Sequence, residues 1–203
     1  FRRVLFRSML HPVIIEYLRR YPQMHIDLVT DARLIDIVAD GFDVGFRLAE
    51  AVPQDMVSVR LGPDVRLLVV CSPDYLARQN AVPQTPHDLL SHACIRYRFT
   101  SGKLYRWEFE RDGKSVVLDV GGPLTLDSPL LMAEAALHGV GIAYVYEGYV
   151  CEHLQSGRLV QLLPDWTPVY AGLCLYYPRQ RHITAALRAF IDLAKEARGA
   201  FAV

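Results

Sequence analysis

Asp127-Ser128-Pro129, in the run TLDSPLLMAEAALHGVGIAYVYEG over 125–148, holds the residues best suited to contact a ligand. Proline suits the first position of a helix, where no amide hydrogen is needed, so Asp127 or Ser128 can cap the helix that follows. The same arrangement suits an anion, because free amides and the dipole at a helix start attract negative charge. Asp127 would oppose an anion if its carboxylate turned inward, which leaves Ser128 as the better contact. An ordinary cap and an anion-holding helix end both fit this spacing.

Other chemistry finds little support. His87 and His92 flank a short helix, but no nearby Cys, Asp or His completes a metal-ligand set. Ser128 lacks the GxSxG elbow of an activated serine. HGVGIAY puts Gly139 and Gly141 after a helix, whereas a dinucleotide needs its glycine-rich turn before one. A helix C-cap at Gly139 and tight packing at Gly141 are expected instead. No pair of carboxylates stands out from solvated surface charge, so no catalytic residue, metal or cofactor is expected.

The elements that must position Ser128 fit one large α/β domain or two small lobes, since the chain has 203 residues and is 52% hydrophobic. Folding a chain of this size buries roughly 70% of the surface exposed when unfolded, so neither disulfides nor metal are needed. Basic and acidic residues balance at 22 each and the basic ones are scattered, which argues against DNA contact by this stretch alone. Cys71, Cys94, Cys151 and Cys174 each sit in an apolar run without a CxxC pair, the pattern of reduced thiols in a cytosolic protein. No apolar stretch reaches the roughly 18 residues of a membrane helix. The opening FRRVLFRS has no signal-peptide shape, matches a translated sequencing-adapter stretch, and is expected to be non-native over residues 1–8.

Along the chain, HPVIIEYLRRYP spaces Val13, Ile14, Tyr17, Leu18 and Tyr21 as a helix, and MHIDLV alternates as a strand. Asp31 is expected to cap a helix carrying Leu34, Ile37 and Val38 and ending at Gly41, with a strand FDVGFRL behind it. This alternation predicts a parallel α/β sheet. Strands MVSVRL and VRLLVVCS follow around Gly62-Pro63-Asp64, then two short helices and the strand CIRYRF. LYRWEFER-DG-KSVVLDV is a hairpin, since Asp112-Gly113 supplies the positive φ angles of a tight turn. After 125–148 come a helix GYVCEHLQSG, strands RLVQLL and VYAGLCLYY, and a helix TAALRAFIDLAKEA. Because chain ends commonly pack together, lobe I is expected from 1–71 with 164–203 and lobe II from 72–163, leaving a cleft that suits a ligand.

Five pieces, HPVIIEYLRRYPQMHIDLV, LIDIVADGFDVGFRLAE, RLLVVCSPDYLARQNAVPQTPHDLLSHACIRYR, MAEAALHGVGIAYV and LQSGRLVQLLPDW, run in order from about 9 to 197. In these the chain resembles the effector-binding domain of a LysR-type transcriptional regulator. The resemblance implies a periplasmic-binding-protein-like (type 2) fold of two Rossmann-like α/β lobes joined by two crossover strands, with a small-molecule inducer in the cleft. It also implies an N-terminal winged helix-turn-helix, absent from this chain, through which alone the protein would touch DNA. Family members usually open with a strand and a loop bearing a Ser or Thr that contacts the effector, and residues 1–8 stand in its place. Tyr146 occupies a position where proline is common.

On that resemblance Ser128, Arg47, Thr100, Ser101, Tyr97, Tyr144 and Tyr146 would line the effector site, a polar and partly aromatic pocket suited to an organic acid. Arg47 would close on the same anion as Ser128. The resemblance also implies a cytoplasmic homodimer or tetramer without membrane contact, helix 13–21 meeting the partner's second lobe through Ile15 and Leu18. Two other readings compete. A free solute-binding protein of a transporter would need an export signal or lipid anchor, and an enzyme on the same fold would need a convergent acid, base or nucleophile set.

Overall fold

The structure, a computed structural model, describes residues 2–29, 37–49, 52–179 and 183–196. In chain order the elements are α1 (Arg2–Arg20), β1 (Gly45–Leu48), β2 (Met56–Arg60), β3 (Val65–Cys71), α2 (Pro73–Ala77), β4 (Cys94–Tyr97), β5 (Trp107–Arg111) and β6 (Lys114–Leu118). They continue as β7 (Leu124–Leu126), α3 (Pro129–Leu137), β8 (Ile142–Tyr146), α4 (Cys151–Gln155), β9 (Val160–Leu162), β10 (Val169–Tyr170), β11 (Leu173–Pro178) and α5 (Ala185–Glu196). Short 3-10 turns fill Pro86–Ser91, Glu147–Tyr149 and Pro164–Trp166. The chain forms two compact units, 65–169 and 2–64 with 170–203.

The outer unit pairs β1, β11 and β2 in that order, both pairs antiparallel. The parallel sheet expected there is therefore not what the described residues form. Its core joins Leu10, Val13 and Tyr17 of α1 to Leu173, Leu175 and Tyr177 of β11 and to Phe190, Ile191 and Leu193 of α5. The Tyr17 hydroxyl donates to the Ala186 carbonyl at 3.0 Å and its ring meets Phe190 edge-on at 5.2 Å. Helix α1 takes in the opening stretch up to residue 8 and has Pro12 inside it. One expectation changes here. Among the described residues, 24–29 have no ladder partner, so the alternation of MHIDLV makes no strand there; Met24 and Ile26 pack on the core and Leu28 is exposed. The Asp31 cap and Leu34 lie outside the described residues, while Gly41 takes the left-handed φ of +76° expected at a helix end.

The middle unit is built on a six-stranded sheet, β10-β3-β8-β4-β7 with β9 also beside β3. Strand β3, assigned to the first lobe when the boundary is set at 71, belongs to this sheet, since Leu67–Val70 pair with Ala143–Tyr146 and Val69–Cys71 with Val160–Leu162. Helix α3 covers one face: Met132, Ala133 and Ala136 pack against Leu68, Val70, Ile95, Ala143 and Val145. Gly139 closes α3 at φ +69°, and a Cβ on Gly141 would lie 2.4 Å from the Ala93 carbonyl oxygen. The cap and the tight packing read from HGVGIAY are both present. The hairpin β5–β6 forms its own two-stranded sheet around Asp112 (φ +51°) and Gly113 (φ +74°). The expected strand VYAGLCLYY divides into β10, which pairs in the six-stranded sheet, and β11, which lies between β1 and β2; between them a Cβ on Gly172 would stand 2.0 Å from the Pro63 carbonyl oxygen, a close approach of backbones.

Candidate functional site

Strands β7, β4 and β8 are mutually parallel, so their carboxyl ends share one edge of the sheet. Tyr97 lies opposite Leu126; Ile95 lies opposite Ala143, which puts Tyr97, two residues on, level with Val145. In open α/β sheets this edge is where ligands bind. The chain leaving β7 turns through Asp127 and Ser128 into α3, the chain leaving β4 makes the loop 98–104, and β8 ends on Tyr146.

Ser128 is half-buried at the N-cap of α3, with its backbone extended. Its carbonyl accepts from the Met132 amide at 3.1 Å, but its hydroxyl makes no capping bond. Pro129 at the first position has no amide to offer, and Leu130 and Leu131 carry the remaining first-turn amides. The hydroxyl is thus uncommitted beside the positive end of a helix. Thr100 and Ser101 sit exposed at the tip of a tight turn, held by Phe99 N–H donating to the Lys103 carbonyl and Gly102 N–H to Phe99. The Arg98 amide donates to the Leu126 carbonyl at 2.8 Å, tying that loop to the chain just ahead of Ser128.

The three tyrosines divide. Tyr97 is buried at the end of β4, with its ring edge-on to Phe99 at 5.3 Å. Tyr146 is half-buried against Tyr149 at 5.4 Å, and burial pushes its phenol above the usual range, with Glu147 adding to the shift. Tyr144 cannot serve as expected. Strand alternation turns it away from Ala143 and Val145, onto the face covered by the hairpin. There it is 1% exposed among Tyr105, Trp107 and Phe109, and its hydroxyl donates to the Glu108 carbonyl at 2.7 Å. Those rings were overlooked in sequence, although YRFTSGKLYRWEF carries a signal: aromatics at 97, 99, 105, 107 and 109, all at odd positions.

In the outer unit Arg47 lies on β1 opposite Cys174, with its guanidinium over the Tyr176 ring at 5.1 Å. Ile15 is 54% exposed on α1, whereas Leu18 packs partly against the core and offers less surface to a partner. A groove of about 660 Å³ lies elsewhere in the middle unit between the hairpin tip and residues 165–169, and none of the expected site residues lines it. Glu110, Asp112 and Asp165 bring three carboxylates to it, beside Arg111. Cys71, Cys94 and Cys174 are buried and Cys151 is half-buried, all as free thiols. Among the described residues no group of three or more His, Cys, Asp or Glu could hold a metal, and no helix is long and apolar enough to cross a membrane.

Residues 4–199 match the family model of the LysR substrate binding domain. The chain belongs to that family. It is 40% identical over 95% of its length to the "Uncharacterized HTH-type transcriptional regulator YcaN" of Escherichia coli (strain K12), and 36% over 93% to the "HTH-type transcriptional regulator PgrR" of the same organism. It spans 63% of the length of each of these relatives. In structure it resembles the regulatory domain of AphB from Vibrio vulnificus, with a TM-score of 0.74 and 25% identity over 94% of this chain and 91% of that one. CrgA, a LysR-type transcriptional regulator from Neisseria meningitidis, gives the same score and identity over 94% of this chain and 64% of that one. The LysR domain therefore has the type 2 periplasmic-binding-protein-like fold, and it is the effector-binding domain of a LysR-type regulator. A transporter's binding protein is not what its relatives are named.

Proposed function

We propose that the domain senses a small organic acid at the shared carboxyl ends of β4, β7 and β8. The observation that carries this reading is the Ser128 hydroxyl, left out of the α3 cap at a helix start on that edge. The acid's carboxylate would meet that hydroxyl and the Leu130 and Leu131 amides, with a helix-end field contributing about 0.3–1 kcal/mol. Thr100 and Ser101 add hydroxyls from the loop after β4, and Tyr97 and Tyr146 add aromatic surface. Arg47, on β1, is also proposed as an effector-binding residue. In the whole regulator, acid binding would control a cytoplasmic, DNA-bound homodimer or tetramer, with DNA held by a helix-turn-helix outside this chain and α1 contributing Ile15 to the pairing.

A thermal-shift screen of organic acids tests the reading, because a ligand that binds the folded state raises its Tm by mass action. An acid that raises Tm in the wild type and loses affinity in Ser128→Ala supports it. Acids that bind equally well to both proteins count against it.

A further inference from the structure

We propose that the β5–β6 hairpin is a lever coupling the Thr100–Ser101 loop to residues 164–169, the segment through which the chain leaves the middle unit. The input end rests on the acid-sensing reading above; the mechanical coupling does not. A two-stranded ribbon of five residues a side is not stable alone, so what it packs against sets its position: Tyr144, the Pro86–Ser91 turn and the Pro164–Trp166 turn.

At the loop end the contacts are a continuous series of rings. Tyr97 meets Phe99 edge-on at 5.3 Å, Phe99 meets Tyr105 edge-on at 5.9 Å, and Tyr105 stacks on Tyr144 at 6.2 Å. Tyr144 in turn packs on Trp107 at 5.3 Å and Phe109 at 5.6 Å, both on β5 and both fully buried. The series passes round the end of the sheet, from Tyr97 on the α3 face to Tyr144 on the hairpin face. Phe99 is therefore both a loop residue, two before Ser101, and the second ring in a train that ends inside the hairpin.

At the far end Arg111, the last residue of β5, lays its guanidinium over the Trp166 ring at 5.7 Å. Trp166 belongs to the 3-10 turn Pro164–Trp166, whose amides bond back from Trp166 to the Leu163 carbonyl and from Thr167 to Pro164. Leu163 enters that turn buried and left-handed at φ +52°, a conformation held only where surrounding packing imposes it. Close-packed rings shift between discrete arrangements instead of deforming smoothly, so a displaced Phe99 re-seats the hairpin and changes the support of Trp166.

Amide hydrogen exchange on the domain, with no acid present, tests this. Phe99→Ala should speed exchange at 107–118 and at Trp166 and Thr167 by about tenfold or more, as local opening of that segment becomes easier. The His138 and Val140 amides, bonded to Glu134 and Ala135 on the other face of the sheet, should keep wild-type rates. Lys103→Ala, on the same loop with an exposed side chain, should change none of them. If Phe99→Ala does not fold, Phe99→Leu, which keeps bulk but no ring, decides by the same pattern. Acceleration confined to 98–105, or reaching His138 and Val140 equally, overturns the lever. The sensing reading stands or falls separately, by acid titration.

Discussion

Removing the Ser128 hydroxyl should separate binding from folding. An N-cap serine ordinarily contributes about 0.5–2 kcal/mol to stability through its bond to a first-turn amide. Here that bond is not made, and the backbone bond from Met132 to the Ser128 carbonyl survives in alanine. Ser128→Ala should therefore change unfolding free energy by less than about 0.5 kcal/mol, the range of a neutral surface substitution. Binding should respond differently. A hydroxyl donating to a carboxylate contributes about 1.5–3 kcal/mol, which is roughly 10- to 150-fold in Kd. Urea denaturation reads the first quantity, and calorimetric titration with an acid found by thermal shift reads the second. A drop of about 1 kcal/mol in stability with unchanged Kd would show that the hydroxyl is a cap and not a ligand contact.

Three further outcomes are expected. Arg47→Ala should lose its stack on Tyr176, about 0.5–1 kcal/mol of stability at a half-exposed site, and acid affinity by calorimetry; Arg47→Lys should recover part of both. Burial pushes the Cys71 and Cys94 thiols up to about 12, so the folded chain keeps protons that the unfolded chain releases from about pH 8.5 upward. Stability from these thiols is therefore full below about pH 8.5 and declines toward pH 12, by up to about 1.4 kcal/mol per pH unit for each thiol; urea titrations at pH 8 and 10 should show a shallower decline in Cys71→Ala. Gly141→Ala drives a Cβ to 2.4 Å from the Ala93 carbonyl oxygen, a backbone atom with little room to give, whereas Gly113→Ala meets open space at φ +74°. The first should cost more than about 2 kcal/mol in thermal unfolding and the second about 1 kcal/mol.

Local chemistry made several elements legible in sequence. Asp112-Gly113 specified the hairpin turn, and Pro129 with Gly139 bounded α3, because each acts on its own backbone. MHIDLV shows what sequence leaves open: alternation tells which residues face a core, and Met24 and Ile26 do, but not whether a partner strand lies alongside. VYAGLCLYY reads as one strand because its change of sheet, β10 beside β3 and β11 between β1 and β2, depends on partners distant in sequence. For Tyr144 the LysR resemblance implies a place in the pocket lining. Which face of β8 the hairpin would cover depends on the fold. Ser128 was found by the proline after it, but that its hydroxyl would stay out of the cap is a matter of geometry that spacing alone leaves undecided.

An acid seated on the carboxyl edge of β4, β7 and β8 would be located by mapping amide shifts in the isotope-labelled domain. Titration with an acid that raises Tm should move the amides of Phe99–Ser101, Ser128, Leu130, Leu131 and Tyr146 first and furthest. Shifts centred instead on Glu110–Asp112 and Asp165–Val169, around the large polar groove, would contradict that seat.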